Sequence, residues 1–467
     1  MVYNKHSETT LEVAFVALYD DELNKRREER REEQRFLAKQ QKLLRIGILI
    51  TALTMIGCVA AIMITKGMIS LPDPTQPNLE ASTTAPTTQP PTTEPQPTVP
   101  DTVIHFVAGG DINVTDKTVA AGTAVSGYDF TDVFLDIVPV LGSGDITAVN
   151  FEGSLYGTPY GNKNASAPPQ LLTALRNAGV DLVQAANSMT VRNGLSGIQS
   201  TLQGIRAAGL EPLGAYTSAE EFRKSGGFTI REIQGIKVAF VAFTKGMDGM
   251  GLPEGAKGCV NLLYTDYNSA YQKVDTDGIT AILGRVEKYD PDVTVAMLHW
   301  GSEFNGQVSK TQEKIRDLLL ANGVDAIIGT HSHYVQKVEF DAQKGTLVAY
   351  SLGDLLGDAD RAGTDYTVLL DIQITKNGTT GKTAITGFDY TPVYISDETA
   401  TGGGLRLLRM REAITAYEAQ FLGRVSDEAY LAMKSALEKI ESRMGTETGI
   451  EHADPVGSAC FLTLSSV

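Results

Sequence analysis

The chain is poor in cysteine, histidine, tryptophan and positive charge. It has 467 residues with three cysteines, six histidines, one tryptophan and a net charge of -16. A nucleic-acid partner requires a basic surface, so this charge argues against one. Three cysteines cannot build a disulfide scaffold. Cys58 falls in an apolar run, which leaves a Cys259–Cys460 disulfide as an option that the sequence does not require.

That apolar run covers residues 46–65 (IGILITALTMIGCVAAIMIT) and has no charged residue. As a helix it would span about 30 Å, the thickness of the hydrocarbon core of a bilayer. It is apolar on all sides and is longer than the apolar part of a typical signal peptide. The sequence therefore predicts a single N-terminal transmembrane helix, and with it the membrane as a partner.

The residues on either side of this run predict its orientation. Lys39, Lys42 and Arg45 directly precede it, whereas only Lys66 follows it closely. The positive-inside rule then makes residues 1–45 a cytoplasmic segment and places the rest of the chain outside the cell. We expect a single-pass protein of the cell membrane with an extracellular C-terminal domain.

Residues 66–101 are predicted to be a linker. The stretch 71–100 has nine of the chain's 18 prolines, interleaved with threonine. Such a composition cannot bury a core and favours an extended, semi-rigid spacer.

From residue 102 the pattern alternates between apolar strands and amphipathic helices, which is typical of an α/β domain with layered sheets and helices outside. We predict this domain over 102–396. Strands are expected at Thr102–Ala108, Ile146–Asn150 and Asp181–Ala186, and helices at Phe130–Leu141, Pro168–Ala178 and Leu195–Ala208.

Residues 397–467 are predicted to be a C-terminal helical extension, with two helices over roughly 404–441 that pack on the α/β domain. The core side of the first is expected to carry Leu405, Leu408, Ile414 and Phe421, and that of the second Leu431, Met433, Leu437 and Ile440.

Polar side chains recur at the ends of predicted strands. Strand ends converge on one edge of such a fold, so these residues are candidates for one site. They are Asp111, Glu152, Asn187 with Ser188, His299, His331 and His333. A carboxylate can bridge two ions, and imidazoles suit Zn, Mn or Fe. The set therefore predicts a site for two divalent metal ions.

Each of these residues alone also has an ordinary structural explanation. Asp111 after two glycines suits a turn, and Asn187 suits a local hydrogen-bonded turn. Glu152 suits a solvated loop, and His299 suits a buried core position. The functional interpretation depends on their occurrence, in order, at successive strand ends.

Several motifs between residues 102 and 356 resemble the bacterial capsule synthesis protein CapA family. They are Gly110-Asp111, Asn150-Phe151-Glu152, Ala186-Asn187, His299-Trp300-Gly301 with Glu303, Gly329-Thr330-His331-Ser332-His333 with Gln336, and Tyr350-Ser351-Leu352-Gly353. The resemblance implies a calcineurin-like metallophosphoesterase fold, a layered β-sandwich flanked by helices. It also implies a role in poly-γ-glutamate capsule synthesis, beside an anionic surface polymer or its synthase or exporter.

The resemblance further implies that Asp111 and His333 hold one metal ion, that His299 and His331 hold the second, and that Glu152 bridges them. We count Ser188, Glu303 and Asp354 as accessory candidates, Asp354 because it stands where the family usually has Asn.

The chain departs from the family at the usual Ala-Asn-Asn-His, where it has Ala186-Asn187-Ser188-Met189. By the resemblance, Ser188 replaces a metal-binding Asn and Met189 replaces a His that acts on the substrate. A thioether cannot serve as a general acid. Two functions therefore stay open: a metal-dependent hydrolase or transferase acting on a surface polymer, and a non-catalytic protein that binds the polymer or a partner.

Overall fold

Two β-sheets packed face to face form the centre of the computed structural model, which describes residues 99–399, 404–420 and 425–444. The strands in these ranges are β1 (Thr102–Asn113), β2 (Ile146–Glu152), β3 (Leu182–Gln184), β4 (Glu211–Leu213), β5 (Thr229–Ile233), β6 (Ile236–Thr244), β7 (Val293–His299), β8 (Ala326–Thr330), β9 (Val338–Asp341), β10 (Thr346–Ala349), β11 (Asp354–Leu356), β12 (Tyr366–Lys376), β13 (Thr383–Glu398) and β14 (Gly404–Arg409).

The helices of the described chain are mostly short. They are α1 (Asp116–Ala121), α2 (Thr131–Phe134), α3 (Val138–Leu141), α4 (Gln170–Ala178), α5 (Gly194–Ala207), α6 (Ala219–Ser225), α7 (Thr276–Val286), α8 (Lys310–Ala321), α9 (Met410–Glu418) and α10 (Asp427–Met444). Helix α8 starts with a capping box between Ser309 and Gln312, and Asp275 caps α7. Such caps satisfy N–H groups that a helix leaves free at its start.

The first sheet has the strand order β14-β13-β12-β1-β2-β3-β4, with β11 also paired to β1. Strands β1 to β4 run parallel, and β12 to β14 complete the sheet in antiparallel pairs. The second sheet has the order β5-β6-β7-β8-β10-β9, parallel at its centre and antiparallel at both edges. Each parallel centre brings several strand ends to the same edge.

The core has three layers of side chains. Between the sheets, the rings of Phe106 and Phe240 meet edge to face with centroids 5.4 Å apart. Apolar residues of α4 and α5 cover the outer face of the first sheet, and those of α7 and α8 cover the outer face of the second. The layered α/β arrangement predicted from the sequence is confirmed.

The first predicted helix of the tail is partly wrong, because Gly404–Arg409 forms strand β14. It pairs antiparallel with β13, with Leu407 opposite Ile395. The alternation Leu405-Arg406-Leu407 suits a strand, and the exposed edge of β13 supplies hydrogen bonds that outweigh the helix propensity of leucine. The first tail helix therefore begins at Met410, not at about residue 404.

The two tail helices do pack on the domain, as predicted. Met433 and Ile440 of α10 and Met410 of α9 are buried in the core between the sheets. Leu431, predicted on the core side, instead faces solvent. Phe421 lies outside the described residues.

The predicted helix Phe130–Leu141 is interrupted. One turn, α2, ends at Phe134, and a second, α3, begins at Val138. Pro139 has no N–H to donate to the preceding turn, so a single continuous helix would lose that hydrogen bond.

The predicted cytoplasmic segment, the apolar run 46–65 and nearly all of the linker lie outside the described residues, as does Cys460. Cys259 is buried and forms no disulfide with a cysteine of the described residues. Of the helices that are described, none has both the length and the apolar character needed to cross a bilayer.

Strand β1 passes unusually close to the turn before β11. A Cβ atom on Gly110 would lie 1.9 Å from the carbonyl oxygen of Gly353. The next residue, Asp111, donates its backbone N–H to that same oxygen over 3.0 Å. Only glycine allows this approach, and it fixes the backbone from which the Asp111 side chain extends.

We expect Gly110→Ala to destabilise the protein by about 1–3 kcal/mol, because the Gly353 carbonyl must move to make room for the methyl group. Urea unfolding of the purified protein measures this change. Gly284→Ala is the matched control, since a Cβ there meets no atom within 4 Å. That control lies in α7 and should be neutral or more stable by up to about 1 kcal/mol. Equal unfolding midpoints for the two variants would contradict the close approach.

Candidate metal centre

Polar side chains of the first sheet meet at one edge. Asp111 on β1 lies opposite Asn150 on β2 and opposite Asp354 on β11. Glu152 is the last residue of β2 and is 5% exposed. These strands run parallel, so their carboxyl ends and these polar groups occupy one side of the sheet.

The second sheet brings its imidazoles to the same place. His299, the last residue of β7, pairs in register with Thr330 at the end of β8. Across the sheets, His299 Nε2 lies 3.0 Å from Glu152 Oε1. The backbone N–H of His331 donates to Asp111 Oδ2 over 2.9 Å. Groups more than a hundred residues apart in the chain are thus in direct contact.

Two groups of side chains have the arrangement of a metal site. One contains Glu152, His299 and His331, and the other contains Asp111, Glu152 and His333. Within each group the ligand atoms all lie within 4.8 Å of one another. Glu152 belongs to both groups. The two groups have the same members as the ligand sets that the family resemblance implies, in which Glu152 would bridge two ions.

Buried atoms without a hydrogen-bond partner show that the residues fit such ions. Both ring nitrogens of His331 and Oε2 of Glu152 have no partner among the described residues. Burying a polar atom unpaired is costly, and metal ions would satisfy the Glu152 oxygen and one of the two ring nitrogens of His331. His331 and His333 also have φ angles of +86° and +60°, a region that is strained for residues with side chains and that clusters at functional sites.

Neighbouring polar groups hold the candidate ligands in place. Asn150 donates to Asp111 Oδ1 over 2.5 Å. His333 Nδ1 lies 2.7 Å from Asp354 Oδ1, and His299 Nδ1 lies 3.3 Å from Thr244 Oγ1. The two histidine contacts hold Nδ1 and leave Nε2 of each ring for the site, as is usual around metal-binding histidines.

Burial and charge set the protonation of the site. Burial raises the pKa of Asp111, and the nearby Glu152 carboxylate raises it further. Burial acts against the ionised form of Glu152 too, but the charge and hydrogen bond of His299 hold its pKa below the usual range. Burial lowers the pKa of His331 well below its usual value. The site therefore contains an ionised Glu152 and a neutral His331, both forms that bind metal.

His333 and Asp354 form a second charged pair. Burial lowers the pKa of His333, but the hydrogen bond and charge of Asp354 outweigh it and raise that pKa to about 10. Burial raises the pKa of Asp354 to about 7.

Asn187 contributes to the site through its loop. Its amide donates to Asn150 Oδ1 over 3.0 Å and to the Phe151 carbonyl over 2.7 Å. Its side-chain oxygen accepts from the Met189 N–H over 3.1 Å, a local turn. These bonds place Ser188, whose hydroxyl donates to Glu152.

A cavity of about 260 Å³ opens onto the site. All three accessory candidates line it, with Ser188 and Asp354 buried and Glu303 exposed. Met189 lines it as well, so the thioether stands beside the candidate ligands.

Two residues that support the ligands were missed from the sequence as individual site residues. Asn150 is two positions before Glu152 on the same strand, and this spacing puts both side chains on one face. Thr244 is the last residue of β6, in register with His299. Both could have been found by treating every polar residue near a strand end as a candidate.

Comparisons with known proteins relate this chain to capsule synthesis proteins. The family described as bacterial capsule synthesis protein PGA_cap matches residues 105–359. The capsule biosynthesis protein CapA of Bacillus anthracis is 24% identical over 265 residues, which cover 55% of this chain and 61% of that protein. The chain thus matches less than two thirds of that relative. The PGA biosynthesis protein CapA of Bacillus subtilis is 25% identical over 297 residues, covering 62% of this chain and 71% of that protein.

Among solved structures, the calcineurin-like phosphoesterase YfkN of Bacillus subtilis is similar, with a TM-score of 0.39 and 15% identity. The similarity covers 73% of this chain and 100% of that one.

We expect metal binding to the metal-free protein to release protons. With its pKa raised to about 10, His333 is protonated at pH 7, whereas a metal-binding imidazole must be neutral. The apparent affinity for Zn²⁺ should therefore rise between pH 6 and pH 8, by roughly tenfold per pH unit for each proton displaced. Calorimetry in two buffers of different ionisation enthalpy measures the release.

Asp354→Asn removes the charge that raises the pKa of His333, so this variant should release fewer protons and show a shallower pH dependence. Identical proton release from the two proteins would contradict the assignment of this histidine.

Proposed function

The chain belongs to the bacterial capsule synthesis protein family PGA_cap, and on that premise we propose that it acts in the synthesis, attachment or export of a poly-γ-glutamate-type polymer. The names of the two similar Bacillus proteins, which refer to capsule and PGA biosynthesis, support this assignment. An acidic surface polymer, its membrane synthase or its exporter would be the partner.

We assign the chemistry to the candidate metal centre, as a metal-dependent hydrolase or transferase acting on an amide, ester or phosphoester bond. The observation that carries this assignment is the Glu152 carboxylate shared by two ligand groups, beside a buried His331 with no other partner. Divalent ions at such a site act as Lewis acids and stabilise negative charge on a carbonyl or phosphoryl oxygen. The donor set suits Mn, Zn or Fe.

The protein's own groups would hold this site rigid. Asn150 orients Asp111, and Asp354 orients His333. The Ser188 hydroxyl donates to Oε1 of Glu152 and so restricts the orientation of that carboxylate. The 260 Å³ cavity admits a substrate to the exposed side of these ligands.

A second function is favoured by Met189. Its thioether lines the cavity at the position where the family usually has His, and it has no proton to give. A protein that binds polymer or a partner at the metal centre, without turnover, would tolerate this residue.

Metal content and hydrolysis, measured on the full-length protein in mild detergent, test the proposal. We expect the wild type to hold about two equivalents of divalent metal and to hydrolyse oligo-γ-glutamate or a simple phosphoester. Glu152→Gln should lose metal and activity, because it removes the shared charge. Ser188→Asn with Met189→His should raise phosphoester hydrolysis, on the order of a hundredfold, by supplying a proton donor.

Glu254→Gln, an exposed carboxylate away from the candidate ligands, is the matched control and should change neither readout. Less than one equivalent of metal with no hydrolysis would overturn the proposal. A wild type that holds metal but is inactive, beside an active double variant, would establish the binding function instead.

We also propose that residues 46–65 anchor the protein, with the metal centre outside the cell. The 20-residue uncharged run and the basic residues before it support this topology.

Protease added to intact cells should then remove the domain from residue 102 onward and leave residues 1–45 protected. Epitope tags at the two termini measure both outcomes, with a cytoplasmic protein as the control for lysis. A C-terminal tag that survives in intact cells and is cut only after lysis would reverse the assigned topology.

A further inference from the structure

Two exposed arginines beside the candidate metal centre have no polar partner. Arg192 lines the cavity, and Arg361 lies between the cavity residues Asp360 and Thr364 in sequence. Within residues 99–399, 404–420 and 425–444, neither guanidinium makes a hydrogen bond or an ion pair. An anion that enters the cavity would therefore meet two guanidinium groups whose N–H groups have no partner within the described residues.

Most other arginines of the described chain are paired. Each of the following contacts a carboxylate: Arg176, Arg206, Arg231, Arg316, Arg409 and Arg411. With acidic residues in excess over basic ones, 56 to 40, an arginine readily finds a carboxylate neighbour. Arg223, Arg285 and Arg443 donate to backbone carbonyls instead. Arg192 and Arg361 do neither, and they lie at or beside this cavity, although Glu303, Asp358 and Asp360 also line it.

Arg361 is held over an aromatic ring that is itself fixed to the site. Its guanidinium carbon lies 3.9 Å from the centroid of the Phe304 ring, a cation–π contact. That ring also stacks on His333, with centroids 5.1 Å apart. The backbone N–H of Phe304 donates to the Ser332 carbonyl over 2.8 Å, between the two histidines. Phe304 thus ties the position of Arg361 to the ligand segment.

The contact with Phe304 leaves the N–H groups of Arg361 without a hydrogen-bond partner among the described residues. Stacking engages the flat face of a guanidinium, while its five N–H groups point outward in the plane. In this plane a guanidinium binds a carboxylate through two parallel hydrogen bonds. The arrangement orders the side chain before any ligand arrives, which reduces the entropy lost on binding.

We propose that Arg192 and Arg361 are the polymer-binding residues of the centre and that each binds a free α-carboxylate of a γ-linked glutamate chain. The inference rests on the proposed polymer function and names the groups that recognise its substrate. A small isolated anion would meet the acidic wall of Glu303, Asp358 and Asp360. A chain with a carboxylate on every residue engages both arginines together, and that double contact offsets the repulsion.

Binding of a short, fluorescein-labelled γ-linked glutamate oligomer to the full-length protein tests this inference. Fluorescence anisotropy, with and without added Mn²⁺, gives the affinity. We expect Arg192→Ala and Arg361→Ala each to weaken binding about 10- to 100-fold, the usual effect of losing a hydrogen-bonded charge. Phe304→Leu should weaken binding less, since it keeps Arg361 but removes its support.

Arg223→Ala is the matched control, because Arg223 is exposed on α6 and donates only within its own helix. It should bind like the wild type. A neutral γ-linked isoglutamine oligomer, in which each free α-carboxylate is replaced by a carboxamide, should bind weakly and equally to all variants. Metal content, measured in parallel, should match that of the wild type in both arginine variants, because neither arginine belongs to a candidate ligand group.

The possible failures are distinguishable. Arginine variants that bind the oligomer as tightly as the wild type would overturn this inference. If the wild type also holds metal and is hydrolytically active, the proposed function would still stand. A wild type without metal or hydrolysis would overturn the proposed chemistry, whatever the oligomer does. Preference for a poly(glycerol phosphate) chain over the glutamate oligomer would overturn the assignment of a carboxylate polymer.

Discussion

The contact between Glu152 and His299 is the constraint on which the rest of the site depends. It joins the end of β2 in one sheet to the end of β7 in the other, within a region that is nearly closed to water. An ionised carboxylate in such a place must be compensated by positive charge and hydrogen bonds. The neighbouring imidazoles supply that compensation, and they lower the pKa of Glu152 against the effect of burial. Both candidate ligand groups include this carboxylate, so neither exists unless the two sheets meet here.

The scaffold around this contact is tightly packed. A Cβ on Gly329 would lie 2.0 Å from the Tyr350 carbonyl and 2.4 Å from Trp300 Nε1. Trp300 is fully buried, donates to that carbonyl over 2.9 Å and stacks on the Tyr350 ring. These residues flank the histidines in sequence. Tight packing beside a set of unsatisfied buried atoms is how a fold keeps a strained site from collapsing.

Some features of this site could be predicted from the sequence because they are local, and others could not because they depend on contacts between distant residues. The ends of strands could be predicted because alternating polar and apolar residues and glycines at turns are local features of the sequence. These predicted ends drew attention to Asp111, Glu152 and the three histidines. The partnership of Asn150 with Asp111 could not be predicted, because it depends on register between strands. Strand β14 was predicted as helix because Leu405 and Leu408 satisfy a helical period as well as a strand pattern, and only the free edge of β13 decides between them. Arg361 carried no signal at all, since its role depends on a ring 57 positions away in the chain.

Met189 takes on a different meaning once the arginines are considered. In a phosphoesterase a thioether at this position is a loss, because it replaces a proton donor. A γ-linked glutamate chain, however, has two methylene groups in each repeat of its backbone, next to a carboxylate. A flexible apolar side chain such as methionine packs against methylenes, while arginines bind the carboxylates. The wall that contains Met189, Arg192 and Phe304 offers both surfaces within one cavity. Methionine in place of the family's usual histidine would then remove a proton donor and add an apolar contact with the polymer.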